Sequence, residues 1–384
     1  MTKSYKKNQD DYNISKSTYS LDWEYSSDVL LRHKEIHRMK KEEVVLKKFL
    51  CLCMTVLLII TLSGCSGQKE QRVYTKETPL VLRMSLTDGE ATCYYKGAQE
   101  VSKRVYDKTG GKIKINVIPG SALGDERGTV ELAMNGDLDI ATSANSVLTN
   151  WIPQMAILDQ AYLWKNSNEA HAAVDGAVGK LIEQEAQKKM GVHVIGYMES
   201  GFRDVFSVKP IEKVEDFKGV KIRTMQNRYH MAAFKSFGAM PVSLPFGEQF
   251  TALQQGTIDA CENGVSGCYT NGFYEVTKNI TNTHHAFVYI LLCMSDKSWN
   301  MIPDDLRQPF LEGVKEGCDA ERGYLVEANA DATQKLKEKG VTFHDIDTAQ
   351  LQALYKKEAA AEGFTFDPVW QQAVDQAIET AKSM

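Results

Sequence analysis

Lys218-Gly219-Val220-Lys221-Ile222-Arg223-Thr224 opens a segment that continues through Leu253-Gln254-Gln255-Gly256-Thr257-Ile258-Asp259 and closes on Glu262-Asn263. Val220-Lys221-Ile222 predicts a short strand, and Arg223 stands at its end, where open α/β sheets place ligands. The flanking sequence repeats the same grammar. β-Branched and apolar runs at 80–86, 114–118, 138–142 and 192–198 predict strands, and 98–108, 127–135 and 168–190 predict helices. Such alternation argues for βαβ units and a parallel sheet, an α/β fold. Residues 286–294 are almost continuously apolar, as expected of a strand covered on both faces.

Pro303 suits the first turn of a helix, and Leu306, Phe310, Val314 and Cys318 then form an i, i+4 stripe. Leu325, Ala328, Ala332 and Leu336 resume it after Gly323. A helix over 303–339 would be roughly 55 Å long, enough to bridge two lobes. The alternative is two helices broken at Gly317 or Gly323. Asp347 with Gln350 predicts a capped start for a final helical region.

The chain has 384 residues and a net charge of -5, with 25% charged and 43% hydrophobic residues. The length accommodates two domains, and there is no basic excess to suggest nucleic acid. Residues 49–62 form an apolar run of 14 residues preceded by Lys40, Lys41, Lys47 and Lys48. That is too short to span a bilayer and has the length and charge of a signal peptide. The run ends in Leu62-Ser63-Gly64-Cys65, which resembles the bacterial lipoprotein box, with Cys65 as the lipidated residue. The organisation expected is a signal peptide over 39–64 and a lipid-anchored tether over 65–78. Translation from Met39 gives 26 residues up to Gly64, so 1–38 is expected to be a non-translated or disordered extension. Five cysteines follow the tether, Cys93, Cys261, Cys268, Cys293 and Cys318. An odd number leaves at least one thiol free unless chains pair, and spacing does not show whether Cys261 joins Cys268.

No catalytic set or cofactor motif is legible. Gly264-Val265-Ser266-Gly267 lacks the spacing of a nucleophile elbow, and there is no Gly-x-Gly-x-x-Gly or Walker sequence. No Cys-x-x-Cys pair supports zinc, and His284-His285 on a strand would point to opposite faces. Asp304-Asp305 stands at a helix start, where acids favour the dipole. The arginines are more informative. Arg203, in Gly201-Phe202-Arg203-Asp204, follows the strand expected at 192–198, and Arg223 closes its own. A guanidinium offers a planar fork of donors that matches a carboxylate.

Ordered blocks then carry a resemblance. Gly110-Gly111-Lys112-Ile113 and Pro119-Gly120-Ser121-Ala122-Leu123-Gly124 come first, then Asp216-Phe217-Lys218-Gly219-Val220-Lys221-Ile222-Arg223, Gly238-Ala239-Met240-Pro241 and Ala252-Leu253-Gln254-Gln255-Gly256. Asp259-Ala260-Cys261-Glu262-Asn263 completes them. Together, from about residue 80 to 305, the chain resembles the solute-binding subunits of tripartite ATP-independent periplasmic (TRAP) transporters. The resemblance implies a two-lobe periplasmic-binding-protein-like α/β fold with crossing strands and a long bridging helix. The expected division is 79–200 plus 286–325 for one lobe and 201–285 plus 326–384 for the other. It implies no enzyme and no metal or cofactor. The implied partners are an organic-acid ligand, the permease subunits of an ion-gradient-driven transporter, and the membrane through the lipid anchor. Arg223 would pair with the substrate carboxylate, Arg203 would be a second binding arginine, Asn263 would hydrogen-bond the ligand and Phe246 would pack on it. Arg127 matches a position that contacts ligand in some members. Tyr94 and Tyr95 at the first strand–helix junction are candidates to line the cleft, Tyr95 being the one placed in the site.

Ala161-Tyr162-Leu163-Trp164 stands where the family often has Pro-Tyr-Leu-Phe. Ala260 replaces a glycine, and Gly264 stands where many sugar-acid binders carry a second asparagine. Sugar acids such as uronates and C4-dicarboxylates both present a carboxylate to Arg223, so both classes stay open. The alternatives are a lipoprotein sensor for the same acids and a secreted hydrolase using Ser266 or Cys261.

Overall fold

In the computed structural model, which describes residues 73–383, β1 (Leu80–Ser85), β2 (Ile113–Ile118), β3 (Ile140–Ala144), β4 (Val192–Ser207), β5 (Lys221–Thr224), β6 (Met240–Ser243), β7 (Ala260–Asn263) and β8 (Asn279–Ser295) form one sheet. Their order is β2-β1-β3-β8-β4-β7-β5-β6, and β9 (Thr342–Asp345) pairs with β8. The outer groups are parallel, β2-β1-β3 at one end and β7-β5-β6 at the other. Antiparallel β4 and β8, 16 and 17 residues long, run through both. These are the crossing strands of a two-lobe binding-protein fold.

The helices of eight residues or more are α1 (Cys93–Lys108), α2 (Glu126–Met134), α3 (Ser167–Val174), α4 (Ala177–Met190), α5 (Arg228–Ser236), α6 (Asp304–Glu338), α7 (Thr348–Ala361) and α8 (Pro368–Ala381). Cores form on both faces of the sheet at each end. Near β1–β3, one core joins Leu82, Val101, Ile115 and Phe310, and the other joins Val130, Ile182, Leu291 and Trp370. Near β5–β7, Phe217, Ile222, Phe234 and Leu351 pack on one face and Phe206, Leu253, Ile258 and Leu336 on the other.

α6 is one unbroken helix of 35 residues, about 52 Å at 1.5 Å per residue. Phe310, Val314 and Cys318 pack beside α1, whereas Ala332 and Leu336 join the core around β7. Gly317 does not break it; the glycine lets two helices touch. A Cβ there would lie 2.4 Å from Val101 Cα on α1.

Several local details differ from the sequence expectations. The strand expected over 192–198 continues to Ser207, so Arg203 lies inside it. Register shifts at Val194/Gly196, Glu199/Gly201 and Arg203/Val205 carry β4 past Gly201, whose φ of 68° is open to glycine without strain. The helix expected over 168–190 is split into α3 and α4 at Gly176, where a Cβ would sit 2.6 Å from Ala172 O. The last helix, α8, packs on the side of α3 and α4, although sequence order had grouped 326–384 with 201–285.

Cys93, Cys261, Cys268, Cys293 and Cys318 are buried free thiols. The extension 1–38, the signal segment 39–64 and Cys65 lie outside the described residues, as does the tether before residue 73.

Candidate functional site

A cleft of about 50 Å³ lies between the elements of the two ends of the sheet, more space than a single water needs. Its walls draw on both groups of elements: Asp88, Tyr94, Glu126 and Arg127 from the first half of the chain, and Arg203, Arg223, Phe246 and Asn263 from the second.

Arg203 on β4 is 4% exposed. Its Nε and Nη2 donate to the two carboxylate oxygens of Glu262 on β7, the Nη2–Oε1 distance being 3.0 Å. Nη2 also donates to the Glu262 carbonyl at 2.6 Å, and Nη1 donates to Asn263 Oδ1 at 2.8 Å and Ser200 Oγ at 3.2 Å. Five contacts use the five N–H groups of the guanidinium. Burial would raise the Glu262 carboxyl, but the Arg203 charge and the neighbouring His285 outweigh it and hold that group well below the usual carboxylate range. His285 Nε2 is 3.5 Å away, and its Nδ1 meets Thr283 Oγ1 at 2.9 Å. His284 turns elsewhere, with Nδ1 2.9 Å from Asp204 Oδ1.

Arg223 on β5 is 3% exposed and differently placed. Its Nε donates to the Leu244 carbonyl at 2.9 Å. Its Nη1 is buried with no hydrogen-bond partner among the described residues, 3.7 Å from Glu262 Oε1. Burial lowers its pKa from 12.5 to about 10; Glu262 opposes the shift and Arg203, a like charge, adds to it. The cleft therefore holds a desolvated cation with unused hydrogen-bonding capacity.

Asn263 ends β7 and accepts through Oδ1 from Arg203, Ser200 and its neighbour's backbone, Gly264 N, at 2.8 Å. Phe246 follows β6 and forms part of the wall, its ring centroid 6.3 Å from that of Phe273. Arg127 is at the mouth, in the first turn of α2, with Nε 3.2 Å from Glu131 Oε1 and its guanidinium over Trp151. Tyr95 is not in the cleft; it packs with Leu86 and Leu325. Tyr94 faces the cleft instead, its hydroxyl 3.1 Å from Ser200 Oγ. Both tyrosines belong to the cluster around Leu86 and Leu325, and of the two it is Tyr94 that also borders the cleft.

Sequence reasoning missed Glu262's pairing, Ser200, Asp88 and Glu126. Asp88 follows β1, is 8% exposed, and has its carboxyl pushed up to about 7 by burial and by Glu126. Glu126, half-buried at the start of α2, is also raised by burial, although Ala144 N donates to it at 3.4 Å and both arginines pull it down. The signal available was Glu126 in Gly124-Asp125-Glu126-Arg127, directly beside a chosen residue.

The proposed nucleophiles are not activated. Burial pushes the Cys261 thiol up to about 12, and Ser266 Oγ has no hydrogen-bond partner among the described residues. No group of three His, Cys, Asp or Glu among them is arranged to hold a metal, and no described helix is long and apolar enough to cross a membrane.

Residues 84–364 match the model of the bacterial extracellular solute-binding protein family 7. A solute-binding protein of Verminephrobacter eiseniae is 34% identical over 258 residues, covering 67% of this chain and 76% of that one. The 2,3-diketo-L-gulonate-binding periplasmic protein YiaO of Escherichia coli is 29% identical, covering 68% and 79%. A crystal structure of a TRAP periplasmic solute binding protein from Xanthobacter autotrophicus Py2, with bound β-D-galacturonate, superposes with a TM-score of 0.73 at 26% identity, covering 77% of this chain and 98% of that one. With this sheet order, this cleft and a family match across most of its length, the chain belongs to bacterial extracellular solute-binding protein family 7, the solute-binding proteins of TRAP transporters.

Proposed function

We propose that the cleft captures an organic acid by pairing its carboxylate with Arg223, and that the protein delivers the acid to an ion-gradient-driven permease. One observation carries the reading: Arg223 lines the cleft, and its buried Nη1 has no hydrogen-bond partner among the described residues. A carboxylate is the complement of such a fork. Arg203 has its donors committed, so its part is to hold Asn263 and Ser200 in place and to add positive field. Phe246 supplies an apolar wall. Closure of the two lobes about β4 and β8 removes water and strengthens the charge-assisted bonds. Lipid attachment at Cys65 would keep the protein beside its permease.

A thermal-shift screen against uronates, aldonates, C4-dicarboxylates, aromatic acids and neutral sugars tests this. A ligand at about a thousand times its dissociation constant adds roughly 4 kcal/mol, a rise of several degrees. A shift with acids and none with neutral sugars supports the reading; a response to neutral sugars alone refutes it. Arg223→Lys, which keeps charge but loses the fork, is expected to cost about tenfold or more in affinity.

A further inference from the structure

A second cavity lies away from the acid cleft. It measures about 410 Å³, within the roughly 300–1,000 Å³ of small-molecule sites. It shares no lining residue with the cleft. Phe202 lines it, whereas the next residue of β4, Arg203, lines the cleft. Neighbours on a strand point to opposite faces, which puts this cavity behind the crossing strands. Its walls come from both ends of the sheet. Trp164 belongs to the core near β1–β3, and Tyr162 and α7 pack with the core around Phe217 and Phe234.

Two donors stand unused in these walls. Trp164 is 4% exposed, and its Nε1 has no hydrogen-bond partner among the described residues; the Tyr162 hydroxyl has none either. A buried donor without a partner is costly, and these two belong to residues of one cavity. Trp164 stands where the family often has a phenylalanine, so the indole N–H is this chain's own addition. Tyr162 and His284, also in the lining, hold φ values of 62° and 43°, which are uncommon outside glycine. The charge around the cavity favours an anion. Its lining contains Lys165 and His284 and no Asp or Glu. A bond from His284 Nδ1 to Asp204, at 2.9 Å, raises the His284 pKa and favours its charged form. Thr348 and Ala349 bring the positive end of α7, a helix of 14 residues.

We propose that this cavity is a second ligand site, separate from the acid cleft, and that it takes a small aromatic carboxylate. The ring of the ligand packs among Phe202, Tyr162 and Trp164. Its carboxylate accepts from Trp164 Nε1 and the Tyr162 hydroxyl, close to Lys165, His284 and the start of α7. Both donors are covered in this structure, so binding includes a turn of the two rings toward the carboxylate, favoured by the two bonds it makes.

Calorimetry on the full chain tests this, in the wild type and in Arg223→Met. The probes are benzoate and indole-3-acetate, with benzamide as the neutral control and butyrate as the aliphatic one. Both aromatic acids are expected to bind the two proteins equally, and both controls to bind about tenfold more weakly or not at all. Trp164→Phe, which keeps a ring and removes the N–H, should weaken the aromatic acids about tenfold, and Lys165→Gln should weaken them severalfold. Lys165 is exposed, so its variant gives a reading even where Trp164→Phe does not fold. Absence of binding by both aromatic acids overturns the proposal. So does binding that disappears in Arg223→Met, which belongs to the cleft, or binding that Lys165→Gln and Trp164→Phe leave unchanged. Benzamide binding as tightly as benzoate overturns the anion preference, and butyrate doing so overturns the aromatic one.

Discussion

Arg223→Met should stabilise the unliganded protein while abolishing acid binding. The side chain is 3% exposed, and its pKa falls from 12.5 to about 10, chiefly through burial. The depressed value means that the fold disfavours the cation at every pH below about 10, so the cost is present across the neutral range. At about 1.4 kcal/mol per pKa unit it amounts to about 3 kcal/mol. Methionine removes that cost and keeps an aliphatic stem of similar reach. What is lost is the 2.9 Å bond to Leu244 O, about 1 kcal/mol, while Glu262 retains Arg203 and His285. The net gain is about 2 kcal/mol. Mid-sized domains shift by about 2–4 °C per kcal/mol and longer chains by less, so the melting temperature should rise by roughly 4 °C. Thermal denaturation of both proteins, with and without a saturating acid, reads the two effects together. A fall of several degrees in the unliganded variant, or an undiminished ligand-induced rise, would refute the idea that Arg223 is a strained cation held for an anion.

The neighbouring pair behaves oppositely. Glu262→Gln leaves Arg203 buried without its counter-charge, which costs about 3–5 kcal/mol; melting should fall by several degrees, and a change under about 1 °C would contradict the pairing. On α6, Gly317→Ala drives a Cβ to 2.4 Å from Val101 Cα, a backbone atom that cannot step aside, and should cost about 3 kcal/mol. Gly323→Ala on the same helix meets nothing within 4 Å and should stabilise by up to about 1 kcal/mol; equal effects at both positions would discount the close approach of α1 and α6. Asp88 gives a pH signature. Its folded pKa of about 7 lies above the ordinary 3.8, so its contribution to stability is fully present below about 3.8 and lost as pH rises through 7. The groups facing it are Glu126 on α2, Arg203 on β4, Thr87 in its own loop, and Cys93 and Tyr94 on α1. The last two are raised by burial and stay neutral in this range. The melting advantage of Asp88→Asn over the wild type should therefore grow between pH 5 and 8, and a constant difference would refute the shift.

Much of the local structure follows from short-range pattern. Asp347 caps the start of α7 by accepting from Gln350 N at 3.0 Å, as its spacing to Gln350 anticipates. The stripe from Leu306 to Leu336 describes one helix because its apolar period matches the helical turn over the whole run. Errors arise where a local rule meets a tertiary contact. Gly201 looks like a strand end, yet pairing with β8 carries β4 through it by a shift of register. Tyr95 and Tyr94 are indistinguishable in composition, and the rotation of α1 against the sheet selects Tyr94 for the cleft.

The order of strands and helices along the chain was enough to name the α/β class, because periodicity is a property of neighbours in sequence, and the two-lobe form and five of the residues that line the cleft followed from the family that the ordered motif blocks resemble. The charge state and division of labour in that cleft were not legible there. Arg203 and Arg223 read alike along the chain, and only the insertion of Glu262 on β7 beside Arg203 saturates one and leaves the other with a nitrogen that has no hydrogen-bond partner among the described residues. Asp88 and Glu126 became part of the same site through burial and proximity between segments far apart in sequence, and desolvation is a property of what surrounds a group in space.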